Sequence, residues 1–205
     1  MEDYKRINLD SYEENAETFE KYFKGLFDLD GRVEFKKFIN FLHNGDKILD
    51  IGCGGGDHSL WFKEQGLDVT ALDFSPKMVE FTRKKGVNAV VMDLENMSFE
   101  DNEFNGIWAV TSLLHTPKEK MNSVIRKMSE ILKPEGVLFI ALKEGVGEKL
   151  LMDNHNPDTK RFFVFWKEDE IKNYFGEFFE VIESWIEKTG QTDYINVFFR
   201  NKKSS

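Results

Sequence analysis

One cysteine, Cys53, stands among 205 residues, so neither an intrachain disulfide nor a paired-cysteine zinc clasp can hold this chain together. A lone thiol fits a reducing compartment, and the cytoplasm is the expected location. There are only four prolines, and no internal repeat, low-complexity tract or Pro/Ser-rich linker marks a second domain. Long hydrophobic runs are missing too. Those at Val137–Leu142 and Phe162–Trp166 fall far short of the roughly 20 apolar residues that cross a bilayer. Met1–Asn15 is studded with charges and has no apolar stretch, so no secretory signal is expected there. Basic residues are in deficit, 28 Lys and Arg against 37 Asp and Glu, for a net charge of −9 and a pI near 5.1. That balance lacks the clustered cations that phosphate backbones and anionic lipids attract, so no membrane partner is expected and nucleic acid is disfavoured.

What is present is apolar and aromatic. Hydrophobic residues make up 40% of the chain and Phe alone supplies 20, enough for a substantial core in one domain. Tyr12, Ala16, Phe19, Phe23 and Leu26 recur at intervals of four and three, which puts them on one face of an N-terminal helix. Phe35, Phe38, Ile39 and Leu42 form the inner face of a second helix. Asn44-Gly45 breaks the chain, and Lys47–Ile51 reads as a strand running into Gly52, Gly54, Gly55 and Gly56.

From there the pattern alternates: helix Asp57–Gln65, strand Asp68–Leu72, helix Pro76–Lys85 with Ser75 as its N-cap, strand Asn88–Met92. Strand Ile107–Thr111 precedes an amphipathic helix that starts near Pro117 and carries Met121, Val124, Ile125, Met128 and Leu132 inward. Lys133–Gly136 ends it, and Val137–Leu142 suits a strand covered on both faces. Such alternation implies crossover connections and a parallel sheet. In the last third, Arg161–Trp166 is aromatic and Lys167–Tyr174 reads as a short helix. Two strands near Val181–Ile186 and Tyr194–Phe199, joined through Thr189-Gly190-Gln191, then make an antiparallel hairpin.

The strongest local signal is Asp50-Ile51-Gly52-Cys53-Gly54-Gly55-Gly56 at a strand-to-helix junction, where glycines let backbone N–H groups approach a ligand. The dinucleotide pattern G-x-G-x-x-G fails at its third glycine, where Asp57 stands, and an acidic residue opening the helix would repel a pyrophosphate. No Gly-Lys-Ser/Thr follows, which excludes a phosphate loop. The next strand ends at Asp73, where a carboxylate can accept from a ribose diol, and the third ends at Asp93. Asp50, Asp73 and Asp93 thus surround one crevice suited to a nucleoside with an amino-acid end and no phosphate.

In these motifs, together with Ala71-Leu72-Asp73-Phe74-Ser75, Met92-Asp93-Leu94, Ser112-Leu113-Leu114-His115 and Leu132-Lys133-Pro134-Glu135-Gly136-Val137-Leu138, the chain resembles the class I S-adenosylmethionine-dependent methyltransferases over about Leu49–Leu142. The resemblance implies a Rossmann-like α/β fold, a seven-stranded mostly parallel sheet in the order 3, 2, 1, 4, 5, 7, 6 with the seventh strand antiparallel and helices on both faces. It implies one domain: an N-terminal helical cap over 1–45, a cofactor core over 46–145, and a substrate-side segment with the hairpin over 146–205. S-adenosylmethionine is the implied cofactor. Gly52, Cys53 and Gly54 would lie beside its methionine end, Asp73 on the ribose, Phe74 and Ser75 near the adenine, and Asp93 with Leu94 at the adenine edge. Ala109 and Tyr12 would close the pocket. Asn105 departs from the pattern, since many relatives carry Asp before the fourth strand.

Several residues keep two readings. Asp50 either contacts ligand or ties down the loop. His115, beyond the fourth strand, is the candidate catalytic residue or a helix-entry residue whose backbone shapes the pocket. Tyr12 and Phe19 face the core or the cofactor. Lys143, Glu144 and Arg161 orient a polar substrate or form a solvated charged rim. His58 reads as a helix N-terminal residue near the loop, and His43 and His155 have no partners at metal-ligand spacing, so no metal site is expected.

Methyl transfer needs chiefly alignment and exclusion of water, with a base only where the acceptor carries a proton that must leave. Ala109-Val110-Thr111-Ser112 is not the Asn/Asp-Pro-Pro-aromatic signature of enzymes that methylate exocyclic or amide nitrogens. Cys53 sits in the cofactor loop, away from covalent catalysis. The expectation is methyl transfer to O, N or S of a small molecule. A non-catalytic S-adenosylmethionine-binding sensor or scaffold, or a protein or tRNA methyltransferase, remains as the alternative, and neither the acceptor nor the oligomeric state is written in the sequence.

Overall fold

β1 (Lys47–Ile51) goes into the interior after its first residue, and in the computed structural model it pairs in parallel with both β2 (Asp68–Asp73) and β4 (Phe104–Val110). β3 (Asn88–Val91) adds in parallel to β2, and β5 (Leu132–Lys143) to β4. β9 (Tyr194–Asn201) runs antiparallel to β5, and β8 (Phe179–Glu187) antiparallel to β9. The seven strands lie in the order β3-β2-β1-β4-β5-β9-β8, the order and sense that the resemblance implied. The structure describes residues 1–25, 31–153, 156, 158–190 and 192–203. Leu26, His155, Gln191 and the side chain of Phe23, all named in the sequence reading, lie outside the described residues.

Helices cover both faces. On one, α6 (Lys118–Ile131) and α7 (Glu168–Phe175) bury Met121, Val124, Ile125, Met128, Ile171 and Phe175 against Ile107, Leu138 and Ile140. On the other, α3 (Val33–Asn40) and α4 (Asp57–Glu64) deliver Phe35, Phe38, Trp61 and Phe62 onto Trp108 and Phe139. Alternation along β4 and β5 makes this possible, because successive side chains point to opposite faces and both faces are apolar. Phe38 comes so close to β4 that a Cβ on Gly106 would lie 2.9 Å from its ring. α5 (Pro76–Lys84) starts where expected, with Ser75 Oγ accepting from Met78 N at 3.2 Å and Pro76 at the first position.

Three expectations need correction. The N-terminal helix is two, α1 (Asp3–Glu14) and α2 (Ala16–Gly25), because Asn15 turns its side chain back onto the chain. Its Nδ2 donates to Ser11 O at 2.8 Å, a local bond that competes with helix continuation. Leu132 is not the last inward residue of α6 but the first of β5, opposite Phe104. Buried Asn201 fixes that switch by donating to the carbonyls of Ser129, Leu132 and Lys133. The aromatic segment near Arg161 belongs to a second, two-stranded antiparallel sheet, β6 (Glu148–Met152) with β7 (Lys160–Val164), that was not foreseen. α1 packs on it: Phe162 N donates to Asn8 Oδ1 at 2.7 Å, and Asn8 Nδ2 donates to Phe162 O at 3.3 Å.

Asn105 ties three strands together at the start of β4. Its Oδ1 accepts from Lys47 N at 3.2 Å and from Lys133 Nζ at 2.9 Å, tying the starts of β1 and β5 to β4.

Candidate functional site

The loop after β1 turns back toward β2, with Gly52 N and Cys53 N both donating to Leu72 O at 2.8 and 3.0 Å. Gly52 has φ +73°, and a Cβ there would sit 2.3 Å from Ser112 Cβ, so nothing but glycine fits. Gly54 has φ +52° and lines a cavity, and a Cβ on it would meet no atom within 4 Å. Gly54 N donates to Asp73 Oδ2 and Ser75 N to Asp73 Oδ1, each at 2.9 Å. Burial pushes the Asp73 carboxyl above its usual range against the backbone bonds it accepts from Ser75, Gly54 and Phe74.

The cavity has a volume of about 600 Å³, in the range of small-molecule sites, and runs along the carboxyl edge of the sheet. One end holds the glycine loop, Asp73, Phe74, Ser75, Asp93 and Leu94. The other opens over Trp108, Phe139 and Phe35, with Lys143, Tyr194 and Asn196 around it. Between them β4 runs out through Thr111, a non-glycine residue at φ +53°, into Ser112. Ser112 Oγ lines the cavity, buried and without a hydrogen-bond partner among the described residues.

α1 lies over the Asp93 end. Lys5 Nζ is 2.7 Å from Asp93 Oδ2 and 2.8 Å from Glu95 Oε2, and Asp93 Oδ1 accepts from Glu95 N. Further along, Glu13 accepts from Ser75 Oγ and from Lys77 N. Tyr12 donates to His115 Nε2 at 3.0 Å, and Arg161 Nη1 donates to the Tyr12 oxygen at 3.2 Å. His115 Nδ1 lies 2.7 Å from Phe162 O, so it carries the proton and leaves Nε2 as the acceptor. Burial, helped by the Arg161 and Lys143 cations, lowers the His115 pKa to about 3. His115 is therefore a neutral ring held from both nitrogens.

Other candidates separate by which way they face. Cys53 lines the cavity, but burial raises its thiol pKa well above the usual value and Thr82 Oγ1 lies 3.5 Å from its sulfur. Asp50 does not line the cavity. It accepts from Ser59 Oγ at 2.5 Å beneath the loop, and burial, with Asp73 nearby, raises its pKa to about 7. Ala109 points into the core on the opposite face, the direct result of strand alternation, while Trp108 and Val110 line the cavity. Glu144 turns outward and pairs with Lys167 at 2.5 Å. Arg161 is no solvated rim: its side chain is 12% exposed, its Nε is 2.7 Å from Asp153 Oδ2, and its guanidinium lies over Tyr12, Phe19 and Phe163. Tyr12 lines the cavity and Phe19 is fully buried beside it. His43 is exposed beside Asp46, and His58 accepts from Trp108 Nε1 at 3.1 Å. Among the described residues no cluster of three or more His, Cys, Asp or Glu could hold a metal ion, and no helix is long and apolar enough to cross a membrane.

Sequence reasoning missed Lys5, Tyr4 and Glu95 on the closing side and Ser112, Tyr194 and Asn196 in the wall. Asn196 alone left a trace, as the one polar residue inside the apolar run Ile195–Phe199.

Sheet order, hairpin and glycine loop together define the α/β methyltransferase fold. Residues 48–136 match the family model described as a methyltransferase domain. A ubiquinone biosynthesis O-methyltransferase of Xanthomonas oryzae pv. oryzae is 34% identical over 104 residues, 47% of this chain and 43% of that protein. The chain spans less than half the length of the curated relatives it matches. Among solved structures, the 1,6-didemethyltoxoflavin-N1-methyltransferase of Burkholderia thailandensis, with bound 1,6-didemethyltoxoflavin and S-adenosylhomocysteine, superposes with a TM-score of 0.75 at 18% identity, covering 95% of this chain and 87% of that one. The (4+2)-cyclase SpnF superposes with a TM-score of 0.74 at 16% identity, covering 96% and 95%. At such identities the likeness concerns the fold, and the cyclase shows that this fold alone does not name a reaction.

Proposed function

We propose that the protein is an S-adenosylmethionine-dependent methyltransferase that acts on a small-molecule acceptor. The observation that carries this is a single cavity joining a glycine-lined, acid-tipped notch to an aromatic chamber, with an unpartnered hydroxyl, Ser112 Oγ, buried at the join. The residues fit the cofactor. Asp73 offers its carboxylate to ribose hydroxyls from the cavity wall, and the bare Gly54 leaves room for the methionine end. Phe74 and Leu94 flank the adenine, Ser75 and Asp93 bound its edge, and Gly52, Cys53 and Ser112 lie beside the amino-acid end. Bound there, the cofactor supplies a methyl group on an electrophilic sulfonium.

The chain's own part is to position and to exclude water. Trp108, Phe35 and Phe139 give the acceptor an apolar floor, and α1, pinned through Lys5, Tyr12 and Glu13, covers the cofactor end. Alignment in a dry site can supply most of the acceleration of such a displacement. Asp50 and Ala109 support the loop and the sheet from outside the cavity, and Tyr12, His115 and Arg161 form a fixed wall. The division into a cap over 1–45, a core over 46–145 and a substrate-side segment over 146–205 belongs to the same reading.

Calorimetry with S-adenosylmethionine, S-adenosylhomocysteine and NADH, followed by a metabolite panel read by S-adenosylhomocysteine release, tests it. Micromolar binding of the first two and turnover with some panel member are expected. Binding of NADH alone, or no binding of either sulfur nucleoside, defeats the proposal; tight binding with no release from any acceptor favours a sensor.

A further inference from the structure

We propose that the acceptor is a flat ring bearing an ionisable hydroxyl, a phenol or an enol, whose proton passes to Lys143 Nζ while the side-chain amide of Asn196 holds a second oxygen of the same molecule. This rests on the methyl-transfer reading above and narrows its acceptor.

The wall that carries both groups is set by strand register. Phe139, Ala141 and Lys143 alternate onto one face of β5, and across the antiparallel ladder Ala141 stands opposite Asn196 and Lys143 opposite Tyr194. All five line the cavity. Asn196 and Lys143 are thus diagonal neighbours, about 7 Å apart at their Cβ atoms by sheet geometry, with Ala141 and Tyr194 on the other diagonal. That shelf has the width of one ring, and the Trp108 and Phe139 rings, with centroids 4.5 Å apart, form its floor.

Neither the Asn196 amide nitrogen nor Lys143 Nζ has a hydrogen-bond or ion-pair partner among the described residues. Asn196 is 1% exposed and its Nδ2 donates to nothing among the described residues, a loss that a buried amide normally avoids. Lys143 Nζ lies 3.9 Å from the Phe163 ring centroid and has no ion-pair partner among the described residues. Every other charge facing it is already used. Arg161 on β7 pairs with Asp153, and Glu187 on β8 and Glu34 on α3 both pair with Arg32. His115 is locked between Tyr12 and Phe162, and Tyr194 on β9 is a neutral phenol whose pKa burial raises. Burial, and then Arg161, lower the Lys143 pKa to about 8 against the Asp153 carboxylate, which raises it, so a fraction of neutral amine is available near neutrality. Such an amine matches the acidity of phenols and enols. In the step, the hydroxyl oxygen bonds the methyl carbon as the methyl–sulfur bond breaks, and that bond's electron pair stays on sulfur. The hydroxyl proton ends on Lys143, leaving a methyl ether, S-adenosylhomocysteine and an ammonium.

Two measurements test this on the full chain. With S-adenosylhomocysteine present, 4-nitrophenol is titrated spectroscopically. The nitrophenolate band should appear on binding at a pH where free nitrophenol is neutral, and it should vanish in Lys143→Met. In turnover, catechol and 2-methoxyphenol, both neutral at pH 7, should yield methyl ethers with a rate that rises with pH through about 8, at least ~100-fold faster than their amino counterparts. Lys143→Met and Lys143→Arg should each lower kcat about 100-fold with S-adenosylhomocysteine affinity unchanged, and Asn196→Ala should raise KM about tenfold. Retained activity in Lys143→Arg would make the residue an ionic anchor and overturn the proton role. Preference for the amines, or cofactor binding without ether formation from any hydroxyarene, overturns the acceptor class alone. Failure to bind either sulfur nucleoside instead removes the underlying reading.

Discussion

Asp73→Asn separates the proposed ribose contact from the loop strut that the structure shows. The carboxylate accepts from Gly54 N and Ser75 N at 2.9 Å each and lines the cavity. Hydrogen bonds to a charged acceptor are worth about 1.5–3 kcal/mol each, so two ribose hydroxyls gain roughly 3–6 kcal/mol. An amide keeps one oxygen and no charge, so the variant should lose about 2–4 kcal/mol of binding, roughly 30- to 1,000-fold in affinity. It also turns an NH2 toward one of the two backbone donors. That costs about 1–2 kcal/mol of stability and a few degrees of melting temperature. Calorimetry with S-adenosylhomocysteine and with its 2′,3′-dideoxy analogue, on both proteins, closes a cycle. The dideoxy compound should bind wild type weakly and lose little more in the variant. If parent and analogue lose equally, or if the variant binds S-adenosylhomocysteine as wild type does, Asp73 is a strut only and the ribose assignment fails.

The two loop glycines should behave differently. Gly52→Ala drives a Cβ to 2.3 Å from Ser112 Cβ and should cost several degrees in a melting curve, whereas Gly54→Ala, whose Cβ meets no neighbour and which bears only the strain of φ +52°, should melt higher than Gly52→Ala yet lose about tenfold in cofactor affinity. Equal melting of the two variants would contradict the geometry. For pH dependence, the Asp50 pKa is raised to about 7 in the fold, so its contribution is present below the unfolded carboxylate range and is lost as pH rises through about 7. Asp50→Asn should then raise the urea midpoint at pH 8 and flatten that limb, by at least ~1 kcal/mol. His58 and His115 act with the opposite sign: burial lowers both pKa values to about 3, so the fold gains stability as pH rises from about 3 to about 6.5. Urea midpoints at pH 5 and 7 for His115→Gln should show a smaller acid loss than wild type. Tyr12→Phe removes the donor to His115 Nε2 and should cost about 1–3 kcal/mol while leaving kcat within a few-fold, and a collapse of kcat at unchanged KM would restore a catalytic role to the pair.

Strand order and the glycine-lined, acid-tipped edge of the sheet were legible because both are written in short-range pattern. Ile48–Ile51, Val69–Leu72 and Ile107–Val110 announce buried parallel strands, and glycines followed by Asp73 and Asp93 mark their carboxyl ends. The errors at this edge are errors of phase. Ala109 sits one residue from two cavity-lining neighbours, Trp108 and Val110, and alternation alone sends it to the other face. Asp50 lies one turn of chain from Gly52 but beneath the loop, where Ser59 on α4 reaches it, a partner nine residues on that no local motif announces.

The acceptor side was not legible, for a reason that bears on how the site works. α1 shows weak amphipathicity because its buried residues, Asn8 and Ser11, are polar, and their partners lie about 150 residues away on the β6–β7 segment. Ser11 meets Asp153, which neutralises Arg161, which in turn holds the Tyr12 oxygen. This chain of contacts links the cover of the cofactor end to the wall of the acceptor chamber through buried polar groups, each costly to leave unpaired. Drawing α1 away must therefore strip partners from Asn8, Ser11, Tyr12 and Lys5 at once. Closure is then cooperative, and the two halves of the cavity are shaped together although their residues come from opposite ends of the sequence.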